Sequence, residues 1–188
     1  MKYLKKNKLL SLFFCLTILS FILGIFFYVL IDNNSKTIIS HNINLLLNNK
    51  TINNTLITNN IFVSICIFLL GISIIGVVII IPIFLFKIFI FSFEFISLLV
   101  NLGFKNIFLI ILYLLPNFLQ IISYFFICYY GCCYSIYLIK HLFKNINYNM
   151  HSMTKKYFII FLFSFVLIIC SSLIELFIIS KLKLFLIK

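Results

Sequence analysis

Five apolar runs take up most of this chain, at about 9–31, 61–86, 88–104, 107–139 and 158–180. A helix crossing a bilayer needs ~20 consecutive, mostly apolar residues. The runs therefore predict an all-α fold, a polytopic integral membrane helix bundle of about five spans forming a single domain over 1–188. Composition carries the same message: 64% of residues are hydrophobic and 10% charged, against roughly 25% charged residues in an ordinary soluble domain. A soluble globule of this size cannot hide so much apolar surface. A soluble enzyme, a secreted disulfide scaffold and a disordered tail are all excluded.

Fifteen lysines against Asp32, Glu94 and Glu175 give a net charge of +12. Such a balance invites a nucleic-acid reading, but that function needs a basic face on a soluble scaffold, usually with arginine to fork onto phosphates. Arginine is absent, and the lysines lie mostly between or beside apolar runs. They read as topology signals and lipid-headgroup contacts. The expected partner is the lipid bilayer, with no nucleic acid.

The first run follows Lys2, Lys5, Lys6 and Lys8, is longer than the ~7–15 apolar residues of a signal peptide, and ends without a small-residue cleavage site. It is expected to stay attached as the first span, with the amino terminus cytoplasmic. An Asn-rich outer loop, 32–60, comes next, read either as a disordered linker or as one or two short helices in the interface. Ile39, Ile43, Leu46 and Leu47 share a helical face within it. The second span, 61–86, contains Gly71 and Gly76 and ends near Lys87. The third, 88–104, carries Glu94 and is barely long enough to cross, so it is expected to be tilted, short or re-entrant. The fourth, 107–139, is interrupted by Pro116, Asn117 and Gln120, and reads as one span kinked at Pro116 or as a half-helix plus a span. Placing Lys87, Lys140, Lys144, Lys155 and Lys156 with the amino-terminal lysines on the cytoplasmic side favours five spans over six. That leaves Lys36, Lys50, Lys105, Lys181, Lys183 and Lys188 outside.

Glu94 and Glu175 are ionisable residues within spans, which makes them functional candidates by default. They could line a transport pathway, pair with Lys87 or Lys105, or simply bond helices together. Six cysteines include Cys128, Cys132 and Cys133, but no C-x-x-C spacing and no histidine at ligand distance occur. His41, His141 and His151 are scattered, and no nucleophile elbow, Walker or zincin motif is present. The chain is thus expected to hold no catalytic site, no metal and no cofactor. Gly71, Ser73 and Gly76 instead form a small-residue patch that permits close helix approach. Ser171 and Ser172, one turn before Glu175, could hydrogen-bond across a helix interface. These residues suit packing within one bundle or contact with a partner, a second copy of the chain included.

The string Leu70-Gly71-Ile72-Ser73-Ile74-Ile75-Gly76 resembles the most recognisable motif of the stage II sporulation protein M family. The run ending in Lys87, the Val100-Asn101 and Gly103 turn, Pro116-Asn117, and Ser171-Ser172-Leu173-Ile174-Glu175 follow in the family's order, so that the resemblance covers about 61–179. Departures occur after Lys87, where the family usually has glycines, and at Pro116-Asn117-Phe118, where it tends to read Pro-Gln-Asn. The resemblance implies a non-enzymatic protein of the mother-cell membrane at the sporulation septum. It would anchor the peptidoglycan-degrading stage II sporulation proteins P and D during engulfment of the forespore. A reading from a different class is a small transporter or permease subunit, for which Glu94, Glu175 and the interrupted spans speak.

Overall fold

The computed structural model describes residues 2–48, 54–144 and 150–186. Six α-helices follow in order: α1 (Lys2–Leu30), α2 (Asn33–Asn48), α3 (Asn54–Gly71), α4 (Gly76–Leu102), α5 (Ile107–Lys144) and α6 (Met150–Leu186), with a 3₁₀ turn, Phe104–Asn106, before α5. The described residues contain no strand. Four of the helices are long and apolar enough to cross a membrane, over Lys8–Leu30, Gly76–Leu102, Ile107–Phe143 and Met150–Ile178, and the shorter Ile57–Gly71 is also apolar. The chain is a multi-pass, all-α membrane bundle.

Contacts fix the direction of each helix. Phe13 meets Phe84, while Gly24 lies against Ser92, so α1 and α4 run parallel. Asn117 bonds Glu94 and Phe125 packs on Phe84, which makes α4 and α5 antiparallel. Gln120 meets Glu175 and Tyr134 meets Thr154, so α5 and α6 are antiparallel as well. α3 descends against α6, with Asn60 beside Ser172 and Phe68 stacked on Phe161. The amino terminus of α1, the α3–α4 turn, the carboxy end of α5 and the start of α6 therefore share one end of the bundle.

The core is a column of Phe13, Ile67, Ile80, Phe84, Tyr124, Ile127, Cys128 and Ile168, and a smaller cluster of Leu98, Ile110 and Leu114 closes the opposite end. Large apolar side chains cover the exterior, Val78, Phe86, Phe108 and Phe163 among them. Lipid tails are as apolar as these residues, so close packing and hydrogen bonds must hold the helices together.

One boundary overturns the sequence reading, and two readings left open are decided. The break expected at Lys87 lies instead at 72–75, and α4 runs unbroken through Pro82 and Lys87, absorbing the third run into one helix. A short re-entrant segment over 88–104 is thus replaced by the second half of α4. Gly71 and Gly76 explain the position of the turn. A Cβ at Gly76 would strike the Leu70 carbonyl group, so the chain can fold back on itself only where no side chain stands. The helix then stops at Gly103, whose φ of 73° favours glycine and whose N–H donates to the Leu99 carbonyl at 3.1 Å.

Of the two readings of the Asn-rich loop, a linker or one or two short helices, the structure has the helical one. α2 occupies Asn33–Asn48 and α3 already begins at Asn54, so most of 32–60 is helical. Thr37 and Ser40 turn their hydroxyls back onto Asn34 and Thr37 carbonyls, using the local bonding available to such polar residues within a helix. Of the two readings of 107–139, one span or a half-helix plus a span, the first holds: α5 is one helix containing Pro116 and extending to Lys144. Lys50 and Lys188 lie outside the described residues.

Candidate functional site: a polar belt across the bundle

Asn60 is the centre of the site. It sits in the first half of α3 and is 8% exposed, with three helices around it. Its Oδ1 accepts a hydrogen bond from Lys87 Nζ on α4 at 3.3 Å. Its Nδ2 donates to Ser172 Oγ on α6 at 3.5 Å, the long limit of such a bond. Its backbone carbonyl accepts from the Tyr124 hydroxyl on α5 at 2.9 Å. Four helices are tied together through one residue.

Lys87 is the charged member. Its Nζ stands 5.2 Å from the centroid of the Tyr124 ring, within cation–π range. Gly76 begins α4 eleven residues earlier, so at ~1.5 Å per residue Lys87 lies about 16 Å from that end, inside an apolar helix long enough to cross a membrane. A lysine at such depth is costly and needs partners. Asn60, the Tyr124 ring and the opposing charge of Glu175, within electrostatic reach, supply them. The sequence reading placed Lys87 in a cytoplasmic gap, also naming it as a partner for the glutamates; the structure places it inside the belt.

Glu175 is 9% exposed and accepts a hydrogen bond from Gln120 Nε2 at 3.0 Å. Ser172 lies one turn below it on the same face and joins Asn60, whereas Ser171 donates to the Ile168 carbonyl of its own helix. Glu94 forms a second node toward the Gly103 end. Its Oε2 accepts from Asn117 Nδ2 at 3.2 Å, with the Tyr113 hydroxyl also bonded to the carboxyl. Pro116 is buried beside that node. Of the two lysines named as partners, Lys87 reaches the belt; the side chain of Lys105 is outside the described residues.

The small-residue patch lies at the other end, and its surroundings belong to this chain. Gly71 faces Gly131 on α5 and Tyr157 on α6; a Cβ there would meet the Tyr157 hydroxyl, its Cζ at 2.8 Å and Gly131 Cα at 3.0 Å. Tyr157 donates to the Phe68 carbonyl at 3.1 Å, and Ser135 donates to the Ser73 carbonyl. Ser73 and Gly76 complete the turn, with Gly76 N–H donating to the Ser73 carbonyl at 3.2 Å.

Among the described residues, no three His, Cys, Asp or Glu side chains converge as a metal site would require. Cys128 and Cys132 are buried in the core, where cysteine packs as a small apolar residue. The interior polar groups are well placed to hydrogen-bond helices to one another.

Asn60, Tyr124, Gly24, Gly131 and Tyr157 were not singled out from the sequence. Glycine scarcity was the available signal. The chain has five glycines, and four of them, Gly24, Gly71, Gly76 and Gly131, stand where a Cβ would meet a neighbour within 3.2 Å. Asn60 could not be told from the nine other asparagines of 32–60 without knowing where α3 begins. No family model matches the chain, and neither does any curated protein or solved structure.

Proposed function

We propose that the protein is a non-enzymatic membrane scaffold that anchors peptidoglycan-degrading enzymes, of the stage II sporulation protein P and D type, at the sporulation septum during forespore engulfment. One observation supports this above the others. Three of the elements that carry the resemblance to the stage II sporulation protein M family, those around Lys87, Asn117 and Glu175, meet in space, while the Leu70–Gly76 string turns the chain at one end of the bundle. Lys87, Ser172 and Glu175 join the belt, and Pro116-Asn117 flanks Glu94. Convergence of elements distant in the chain is what a shared fold would produce. The belt braces the bundle internally and leaves α2 and the helix ends for partners. The wall-cutting chemistry belongs to those partners.

In this reading the amino terminus is cytoplasmic. Lys8, Lys140, Lys155 and Lys156 gather at the end shared by α1, α5 and α6, whereas Lys36 and Lys105 lie toward the other, a distribution in line with the positive-inside tendency. With Lys87 inside α4, it no longer counts toward either side.

A second reading, a small transporter or permease subunit, is favoured by Lys87 and Glu175 at mid-bundle, because charged residues at that depth often mark ion or substrate paths. Membrane-dye microscopy of a deletion strain after starvation separates the two. Cells stalled with a flat or bulging septum and an unengulfed forespore are expected for the scaffold. Completed engulfment, or a host that forms no spores, overturns it. A solute phenotype during growth that Glu94→Gln reproduces would establish the transporter instead.

A further inference from the structure

The turn between α3 and α4 is apolar and uncovered. Ile72, Ile74 and Ile75 are 45%, 44% and 65% exposed, and no charged residue lies between Asn60 and Lys87. A loop in water would seldom present three isoleucines in four residues. Much of the backbone around it is bonded from within. The Phe68 carbonyl accepts from Tyr157, Leu69 from Ile72 N–H, Leu70 from Ser73 N–H and Oγ, and Ser73 from Gly76 N–H and Ser135. Two of these donors are brought by α5 and α6. Non-helical backbone survives at membrane depth only where protein provides such partners.

The neighbouring helices continue past the turn. Ser135, which bonds it, is followed by nine more residues of α5, and Tyr157 is preceded by seven of α6. At ~1.5 Å per residue these ends project about 10–13 Å further, with Lys155 about 3 Å, Lys140 about 7 Å and His151 about 9 Å along the way. The turn therefore lies about that far short of the ends of α5 and α6. Its surface continues the exposed apolar faces of Leu69 and Val78.

We propose that the Ile72–Ile75 turn is immersed in the bilayer and that its partner is the acyl chains of the surrounding leaflet. The α3–α4 hairpin then enters from one side and turns before reaching the other, offering no aqueous loop there. Protein contacts on that side fall to α1 and to the ends of α5 and α6.

The chain contains no tryptophan, so a single introduced indole reports its own surroundings. Ile74→Trp would be reconstituted in phosphatidylcholine vesicles with and without mid-chain brominated acyl groups. Val78→Trp on the exposed face of α4 and His151→Trp on the projecting end of α6 serve as references. The expected result is blue-shifted emission at Ile74→Trp, several-fold weaker acrylamide quenching than at His151→Trp, and strong quenching by brominated lipid, as at Val78→Trp. Acrylamide quenching equal to that of His151→Trp overturns the proposal. Shielding from both quenchers also overturns it, by assigning the turn to a protein partner or a second copy. Ile75→Trp provides the same measurement if the first variant fails to fold.

Discussion

Substituting Gly71 by alanine adds one methyl group at the most confined point of the α3–α5–α6 junction. The new Cβ collides with the Tyr157 hydroxyl and comes within 2.8 Å of its Cζ. A flexible side chain could yield cheaply, but Tyr157 cannot. It is 3% exposed, stacked on Phe68 at 5.1 Å and on Tyr134 at 5.2 Å, and hydrogen-bonded to the Phe68 carbonyl. On the far side Gly131 Cα at 3.0 Å blocks retreat of the backbone. Overpacking of this kind costs about 1–3 kcal/mol, and forcing Tyr157 aside leaves a buried carbonyl unpaired for about another 1–3 kcal/mol. The sum is about 2–5 kcal/mol once the overlap of the two terms is allowed for. Tyr157→Phe alone forfeits the hydrogen bond and nothing else. In the double variant the hydroxyl is no longer there to be displaced, so the two losses should fall short of additive by about 1–2 kcal/mol. Unfolding by SDS in mixed micelles, followed by circular dichroism, measures all three. A Gly71→Ala variant as stable as the parent, or strict additivity with Tyr157→Phe, would refute the packing argument.

Three further outcomes are expected. Lys87→Glu sets a third carboxylate among Glu94 and Glu175 and should cost about 3–5 kcal/mol, whereas Lys87→Met combined with Glu175→Gln should recover much of the loss; the same SDS titration reads both. Gly24→Leu drives a Cβ into Ser92 Oγ and within 2.6 Å of the Phe89 carbonyl, so it should release α1 from α4, seen as protease sensitivity confined to α1 while the remaining helices stay resistant. Asn117→Leu removes the 3.2 Å bond to Glu94 and leaves the Tyr113 contact in place. It should lower stability by only about 0.5–2 kcal/mol, and a total loss of folded protein would contradict the node's partial redundancy.

The spans were legible because hydropathy is a local property, summed along one stretch of chain. What was not legible depended on neighbours. Lys87 looks like a boundary because a lone lysine in an apolar run usually is one; only Asn60, Tyr124 and Glu175, brought from three other helices, make its burial tolerable. The turn at 72–75 hid inside the same run since isoleucine carries no turn signal, and the flanking Gly71 and Gly76 read equally well as helix-packing residues. Glu94 and Glu175 were identifiable as interior charges, and Pro116 and Asn117 as helix-packing or partner-contact residues, yet nothing in the sequence paired Asn117 with Glu94, and Gln120 appeared only as an interruption of a long helix. The helicity of 33–48 was visible as a shared face of isoleucine and leucine, but asparagine abundance argued equally for a linker.

The parallel pairing of α1 with α4 bears on how the chain is made. At synthesis rates of 5–20 residues per second, the 72 residues separating Leu30 from Leu102 take on the order of 4–14 s to emerge. For that interval α1 waits in the bilayer with Phe13, Ser20 and Gly24 unmatched, until Phe84, the Leu85 carbonyl and Ser92 arrive. The first helix can thus pair with α4 before α5 and α6 have been made. Two co-expressed fragments, parted between α1 and α2, should therefore find each other after insertion and rebuild the bundle.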